Sequence, residues 1–376
     1  KNCQTPLAPN DIPHDITAET LVTHYEVKRR ACFGCTQHCS GYFEIRFGSY
    51  AGTRGGKLDF ETMSCCGTNC GLLKLEPVLK IDTLCDRYGL CTIPTGYVIG
   101  FAMELYEKGI LGKEDTDGVA LEWGNEDVMI ELISKIANRE GFGNLLAEGQ
   151  YNLARIIGKE AMKYCYHTKG LSRGYHYSGI VDVLYSTATR GADHLRGDIT
   201  HSDSPYNIRY LQELEKAGVI PTDIPEKAIY GQRIFTLSDI LTRCKGGVYT
   251  WPQSHPLIWK YPLFEGPARL LYLATGWEVA ADELIRITDR VYTLERAFNV
   301  REGVDRRNDV PPKKAFEVGL VTSEQHNEWL DKYYELRGWD RETGIPTKTT
   351  LEKLGMKYVA DELEVNMPYP EWDGPP

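Results

Sequence analysis

Residues 125–141 read NEDVMIELISKIANREG, and their pattern sets the class of fold. Asn125 is an N-cap residue type, because its side-chain oxygen accepts from the free N–H groups that open a helix. Glu126 and Asp127 follow in the first turn, where the positive end of the macrodipole favours acids. Met129, Leu132, Ile133, Ile136 and Ala137 then recur at three- and four-residue steps and make one apolar face. Arg139 and Gly141 close the segment. The same step returns at Leu284, Ile287, Val291, Leu294 and Phe298, in a long helix that ends near Gly303. Comparable helices are expected over 18–30, 70–84, 94–108, 144–157, 206–217 and 323–336. Extended signals are few: residues 42–47 and 247–251. The expectation is a mostly α fold, two packed helical domains with a few short strands.

With 376 residues the chain exceeds the size at which one core stops growing, so two domains are the default. We place them at 1–165 and 166–376. Residues 165–205 have weak periodicity and many Gly, Tyr, His and Arg, the composition of a long functional loop region. From Asn366 onward four of eleven residues are Pro, which suits a surface tail. There are 53 acidic and 43 basic side chains, a net charge of −10. Nothing in that balance tracks a phosphate backbone, so nucleic acid is not an expected partner. An acidic surface suits docking to small basic patches on a redox partner. No eighteen apolar residues run together, so no membrane span is expected. No signal peptide is visible, and the expected location is cytoplasmic. The first residue is Lys1 rather than Met, the pattern of a processed chain or a fragment.

Eleven cysteines are the loudest feature, and eight of them crowd into residues 32–91. Disulfide scaffolds are usually short chains without a core, so a metal-binding reading fits this one better. Residues 31–40 read ACFGCTQHCS, giving Cys32-x2-Cys35-x3-Cys39. Three thiolates around a glycine can wrap one corner of an iron–sulfur cube and leave the fourth iron for a distant Cys. Zinc sites usually pair two CxxC knuckles, and no second CxxC exists here. His38 would complete a Cys3His zinc site only by competing with Cys39 for space. A radical-SAM arrangement would need Cys at position 42, which is Tyr42. Two further segments share a spacing: Asp86 to Cys91 and Asp239 to Cys244 both put a Cys five residues after an Asp.

Residues 85–111, CDRYGLCTIPTGYVIGFAMELYEKGIL, resemble the aldehyde ferredoxin oxidoreductase family, tungsten or molybdenum enzymes with two pyranopterins per metal. Other segments carry the same resemblance in the family's order: ACFGC at 31–35 with Cys39, FETMSCCGTNCG at 60–71 and EWGNED at 122–127. REGFGNLLAEG at 139–149, LYSTATRGADHLR at 184–196 and RAFNVREG at 296–303 continue it across most of the chain.

The resemblance implies a 4Fe–4S cluster on Cys32, Cys35, Cys39 and Cys244, beside a tungsten (or molybdenum) bis-pyranopterin. It also implies that two D-x-x-G-L-(C/D) segments bond the pterins. The first is intact as Asp86, Gly89, Leu90 and Cys91. The second keeps Asp239 and Cys244, but Thr242 and Arg243 replace Gly-Leu, so weaker backbone contacts are expected there. An Asp carboxylate suits a pterin edge that presents several N–H donors. The metal takes its sulfur from the pterins, which leaves Cys65, Cys66, Cys70, Cys85 and Cys165 for structure. Glu61 and His194 match the family's acid–base pair. Their plain alternatives are a first-turn acid and an ordinary loop histidine. Tyr175, Tyr177 and Tyr185 lie near His194 and either line a channel or simply pack. The family's β-rich N-terminal pterin-binding domain has no counterpart in residues 1–31, so it is expected in a separate chain or removed.

The implied activity is oxidation of aldehydes to carboxylic acids, with electrons leaving through the cluster. The implied partners are ferredoxin or an electron-transfer subunit, and a homo-oligomer is a further expectation. Two other readings compete. One is a dearomatising reduction of an aryl thioester on the same scaffold. The other is a non-catalytic iron–sulfur subunit that has lost its pterins, which the altered second motif and the absent first domain favour.

Overall fold

The structure, a computed structural model, describes residues 1–4, 13–35, 38–56, 58–174, 179–197, 212, 215, 216, 218, 220–245, 264–317 and 321–366. The expected strand at 247–251, the Pro-rich tail after residue 366, Tyr175 and Tyr177 lie outside them, as does most of the expected helix over 206–217. The fold is mostly α. The chain divides into two units, Lys1–Tyr175 with Pro312–Lys314, and His176–Pro311 with Ala315–Pro376. No helix among the described residues is long and apolar enough to cross a membrane.

The first unit opens with an antiparallel sheet of β1 (Glu26–Arg30), β2 (Ser40–Glu44) and β3 (Arg54–Gly56), in that order. The helix expected over 18–30 is only partly present: Ala18–Thr20 is α-helical, Leu21–Tyr25 is a π turn, and β1 follows. Val27–Arg30 offers no apolar residue one helical turn on, and pairing from Glu26 opposite Phe43 to Arg30 opposite Ser40 satisfies its backbone instead. Along β2 the period is two, with Phe43 buried and Tyr42 exposed.

Four helices build this unit's core: α1 (Leu75–Tyr88), α2 (Thr92–Glu107), α3 (Glu126–Asn138) and α4 (Gly149–Ile157). The Asn125 cap forms as expected, accepting from the Val128 N–H at 3.2 Å. Met129, Leu132, Ile133 and Ile136 of α3 pack with Leu75, Val78 and Leu79 of α1 in one core. Helix α2 is buried continuously from Thr95 to Leu105, so it packs on all sides. Its Gly96 admits another segment closely: a Cβ there would sit 2.4 Å from the Cys65 carbonyl oxygen. The segment so admitted is Phe60–Cys70, a succession of a short α turn, a π turn and a 3-10 turn.

In the second unit, α5 (Gly179–Thr187) falls inside the stretch expected to be a loop. Its Val183, Leu184 and Tyr185 are buried. Helix α6 (Ile224–Ile240) was not evident from periodicity, because buried residues lie all round it, Gln232 and Ser238 among them. Its start is conventional, with Asp223 accepting from the Glu226 N–H and Pro225 in the first turn. Helices α7 (Glu265–Thr275), α8 (Ala281–Arg301) and α9 (Ser323–Arg337) complete the frame. Gln232 is fixed from three directions: it donates to Thr187 Oγ1 (2.9 Å) and accepts from the Tyr333 hydroxyl (2.7 Å) and Arg337 Nη2 (2.6 Å).

Candidate functional site

Helix α1 ends on a left-handed residue, Gly89, at φ 70°. The Gly89 N–H donates to the Asp86 carbonyl (3.2 Å) and the Leu90 N–H to the Cys85 carbonyl (2.9 Å). This pair of bonds is the Schellman closure of a helix. Helix α6 ends the same way. Thr242 takes the left-handed position at φ 52°. Its N–H donates to the Asp239 carbonyl (3.1 Å), and the Arg243 N–H donates to the Ser238 carbonyl (2.8 Å). Replacing Gly by Thr therefore leaves the turn intact. A β-branched residue pays about 1–2 kcal/mol to sit there.

The two turns differ in their charge. Asp86 is exposed, and one turn earlier lies the buried Asp82. Burial, then the charges of Asp86 and Asp59, push the Asp82 carboxyl up to about 7. Burial, then the charges of Asp82 and Asp86, push the Cys85 thiol up to about 12. Asp239 instead sits between two cations, Arg196 Nη1 at 2.8 Å and Lys245 Nζ at 3.0 Å. Arg196 is buried and also pairs with Glu295.

Each turn is tied to one member of the expected acid–base pair. Glu61 is a buried carboxylate in the first turn of the Phe60–Thr62 helix, which Asp59 caps by accepting from the Thr62 N–H (2.8 Å). Thr62 and Thr92 share a hydroxyl hydrogen bond of 2.8 Å, and the Cys66 thiol donates to the Thr92 carbonyl at 3.4 Å. Thr92 follows Cys91, so the segment that carries Glu61 is bonded just beyond the Asp86–Cys91 turn. Cys65 Sγ lies 3.8 Å from Glu61 Oε2. Burial, with Glu61 next, holds that thiol well above its ordinary range.

His194 is buried at the head of the one-turn helix His194–Arg196, capped by Asp193. Arg196 carries that helix to Asp239, and Lys245, the residue after Cys244, donates both to Asp239 and to the Leu195 carbonyl (2.8 Å). Glu61 and Asp86 belong to the first unit, His194 and Asp239 to the second. Sequence reading missed Thr62, Thr92, Arg196 and Lys245. All four sit inside or beside the quoted motifs, but nothing in the pattern says which group each meets.

The cysteines separate by exposure. Cys32, Cys35, Cys39, Cys91 and Cys244 are exposed, whereas Cys65, Cys66, Cys70, Cys85 and Cys165 are buried. In the buried set burial raises the thiol and disfavours the thiolate a metal needs. The exposed set holds the four cysteines that the family resemblance implies as cluster ligands, Cys32, Cys35 and Cys39 in the first unit and Cys244 in the second, and Cys91 besides. Cys32 accepts at its carbonyl from the Cys35 N–H (3.0 Å), with Gly34 left-handed between them. Among the described residues no three His, Cys, Asp or Glu side chains converge on one metal position.

The family model for aldehyde ferredoxin oxidoreductase, domains 2 and 3, matches residues 1–356. The chain belongs to the aldehyde ferredoxin oxidoreductase family. A tungsten-containing aldehyde ferredoxin oxidoreductase from Pyrococcus furiosus is 30% identical over 369 residues, 95% of this chain and 57% of that protein. An aliphatic sulfonate oxidoreductase, WOR-like subunit, of the same organism is 29% identical over 89% of this chain and 51% of that protein. Among solved structures, the active site complex BamBC of benzoyl coenzyme A reductase, bound to 1,5-dienoyl-CoA, matches with a TM-score of 0.77 at 25% identity. That match covers 97% of this chain and 58% of the other. The chain thus spans a little over half the length of its family relatives.

Proposed function

We propose that this chain is the part of a tungsten (or molybdenum) bis-pyranopterin enzyme that holds the acid–base pair and a 4Fe–4S cluster, and that the enzyme oxidises aldehydes to carboxylic acids. The observation that carries the reading is a parallel between the two motifs: Thr62, beside Glu61, bonds Thr92, just past the Asp86–Cys91 turn, and Arg196, two residues after His194, pairs with Asp239. A chain that had lost its pterins would have no reason to keep the second turn against the strain at Thr242. The relatives' tungsten supports the metal, and those that are subunits or parts of complexes support a partner chain.

In this reading Asp86 and Asp239 accept N–H donors from the two pterins, and Cys32, Cys35, Cys39 and Cys244 hold the cluster. When bound, the metal centre supplies the two-electron acceptor. The net change is aldehyde plus water to carboxylate, three protons and two electrons. A Glu61 carboxylate oxygen takes a proton from the water that adds to the carbonyl carbon. The His194 ring holds or relays a second proton. Glu61 is buried, which keeps bulk water from that carboxylate. Electrons leave one at a time to ferredoxin or an electron-transfer subunit.

The BamBC likeness favours a second reading, reduction of an aryl thioester on the same scaffold. Glu61 and His194, a proton-transfer pair, suit the aldehyde reaction. The test uses the protein purified with its associated chains. Metal analysis should find roughly one tungsten or molybdenum and roughly four iron per chain; iron alone would leave a non-catalytic iron–sulfur subunit. Glu61→Gln should lower kcat for aldehyde oxidation about 100- to 10,000-fold at unchanged tungsten content. Full activity in that variant ends the assignment. Turnover of aryl-CoA thioesters without any of aldehydes would select the second reading.

A further inference from the structure

Strand β1 stands apart from the rest of this acidic chain. Among the described residues it is an edge strand, pairing only with β2, and Val27, Lys28, Arg29 and Arg30 are all exposed. Arg46, just past β2, and Arg54 on β3 are exposed beside it. Two acids answer these cations: Glu26 pairs with Arg29 (3.1 Å) and Glu44 with Arg54 (2.6 Å). Arg30 donates to the Tyr42 hydroxyl, a neutral partner. Among the described residues no carboxylate lies within ion-pair distance of Lys28, Arg30 or Arg46. A local excess of cations has therefore been kept on a chain whose net charge is −10. Apolar groups stand among them, with Phe33 and Phe47 at 107% and 85% exposure and Tyr42 at 42%. The connection from β1 to β2 carries Cys32, Cys35 and Cys39.

We propose that the β1 edge, with Lys28, Arg30, Arg46 and Phe33, is the docking surface for an acidic ferredoxin-type electron carrier. The proposal rests on the cluster reading above and adds the place and chemistry of the partner. Three cations around a few aromatic groups make a small, charged contact of the kind transient redox encounters use. A permanent partner would leave a broader apolar face depleted of lysine. Charges on an edge strand also block pairing between sheets; that role needs nothing beside it, whereas this edge leads directly into three exposed thiols. At each encounter one oxidised carrier takes one electron, and two encounters complete one two-electron turnover. No bond or proton moves in that step.

The test takes the protein with its associated chains and an oxidised, acidic ferredoxin with two 4Fe–4S clusters as probe. Lys28→Glu, Arg30→Glu and Arg46→Glu together should raise KM for ferredoxin about tenfold or more at low salt. The gap should close at roughly 0.5 M salt, where screening shortens to a few ångströms. Iron content and the rate with a small viologen dye should stay at the parent values. Glutamine at the same three positions, a change less hostile to the hairpin, should give an intermediate KM. An unchanged KM and salt slope, with iron retained, would overturn the docking surface. So would loss of an associated chain at unchanged ferredoxin KM, which would assign the edge to a permanent partner. A parent protein without iron would sink the cluster reading instead. Calorimetric binding of the same ferredoxin would then decide the docking alone: weakened by the charge reversal it stands, unaltered it falls.

Discussion

At the end of α1, Asp86 lies one helical turn beyond the buried Asp82; at the end of α6, Asp239 lies between Arg196 and Lys245. The backbones of the two turns are alike, bond for bond, and their electrostatics are opposite. An acid in the last turn of a helix meets the negative end of the macrodipole, so neither Asp is there for the helix. At the second turn two cations, paired with the carboxylate, offset that cost. At the first turn Asp86 relies on water, and its charge helps to keep a proton on Asp82. Local chain closure and charge environment are thus separate properties, set by different residues.

The largest effect should come from Asp82. Its carboxyl is raised from 3.8 to about 7, chiefly by burial. The folded state therefore binds a proton that the unfolded state releases. The stability this gives is fully present below about pH 4 and lost as pH rises through about 7. Asp82→Asn cannot ionise, so at pH 8 it should be more stable than the parent by on the order of 2–4 kcal/mol. The gap should close below pH 4, as read from urea unfolding at both pH values. A gap that stays constant with pH would show that Asp82 does not titrate in this window, and half of the contrast would go.

The next effect compares the two motif acids. Asp239→Ala removes one acid from a buried guanidinium and one partner from Lys245, and should cost on the order of 2 kcal/mol. Asp86→Ala removes an exposed acid from a helix C-terminus and should be neutral or gain up to about 0.5 kcal/mol. It should also lower the Asp82 pKa. Equal losses from the two variants would mean that the cations beside Asp239 do not matter. If both aspartates serve pterins, metal and pterin content should fall in both variants despite their different stabilities.

The helical class and the major helices were legible because they rest on periodicity along one face, as in Glu126–Asn138 and Ala281–Arg301. Helix α6 was not, because its buried residues surround the axis and erase the period. Residues 26–30 misled for the opposite reason: their structure comes from a partner strand fourteen residues on. At the site, spacing alone marked the Asp and Cys pairs, and the family resemblance supplied Glu61 and His194. The loss of Gly-Leu from the second motif led us to expect weaker backbone contacts to a pterin; the turn's own hydrogen bonds are kept. Composition counts Arg196 and Lys245 but cannot say that both face Asp239: Arg196 reaches it across more than forty positions, and Lys245 lies beyond the helix end.

The smallest effect tests whether the two turns really share a backbone. Gly89 and Thr242 both lie in the left-handed region, at φ 70° and 52°. Glycine adopts it freely, whereas a β-branched side chain crowds the following carbonyl. A Cβ at Gly89 would meet nothing within 4 Å, so Gly89→Thr adds conformational strain without a clash. It should cost about 1 kcal/mol. Thr242→Gly relieves the same strain but frees the unfolded chain, which returns part of the gain. A net stabilisation of about 0.5–1 kcal/mol is expected, as a shift in denaturant midpoint at constant slope. Pterin content should be unaltered in Thr242→Gly, since the Asp239 and Cys244 positions depend on the turn and not on its side chain. If Thr242→Gly instead destabilises the chain, the Thr242 side chain makes a contact that outweighs its strain, and the second turn is more than a copy of the first.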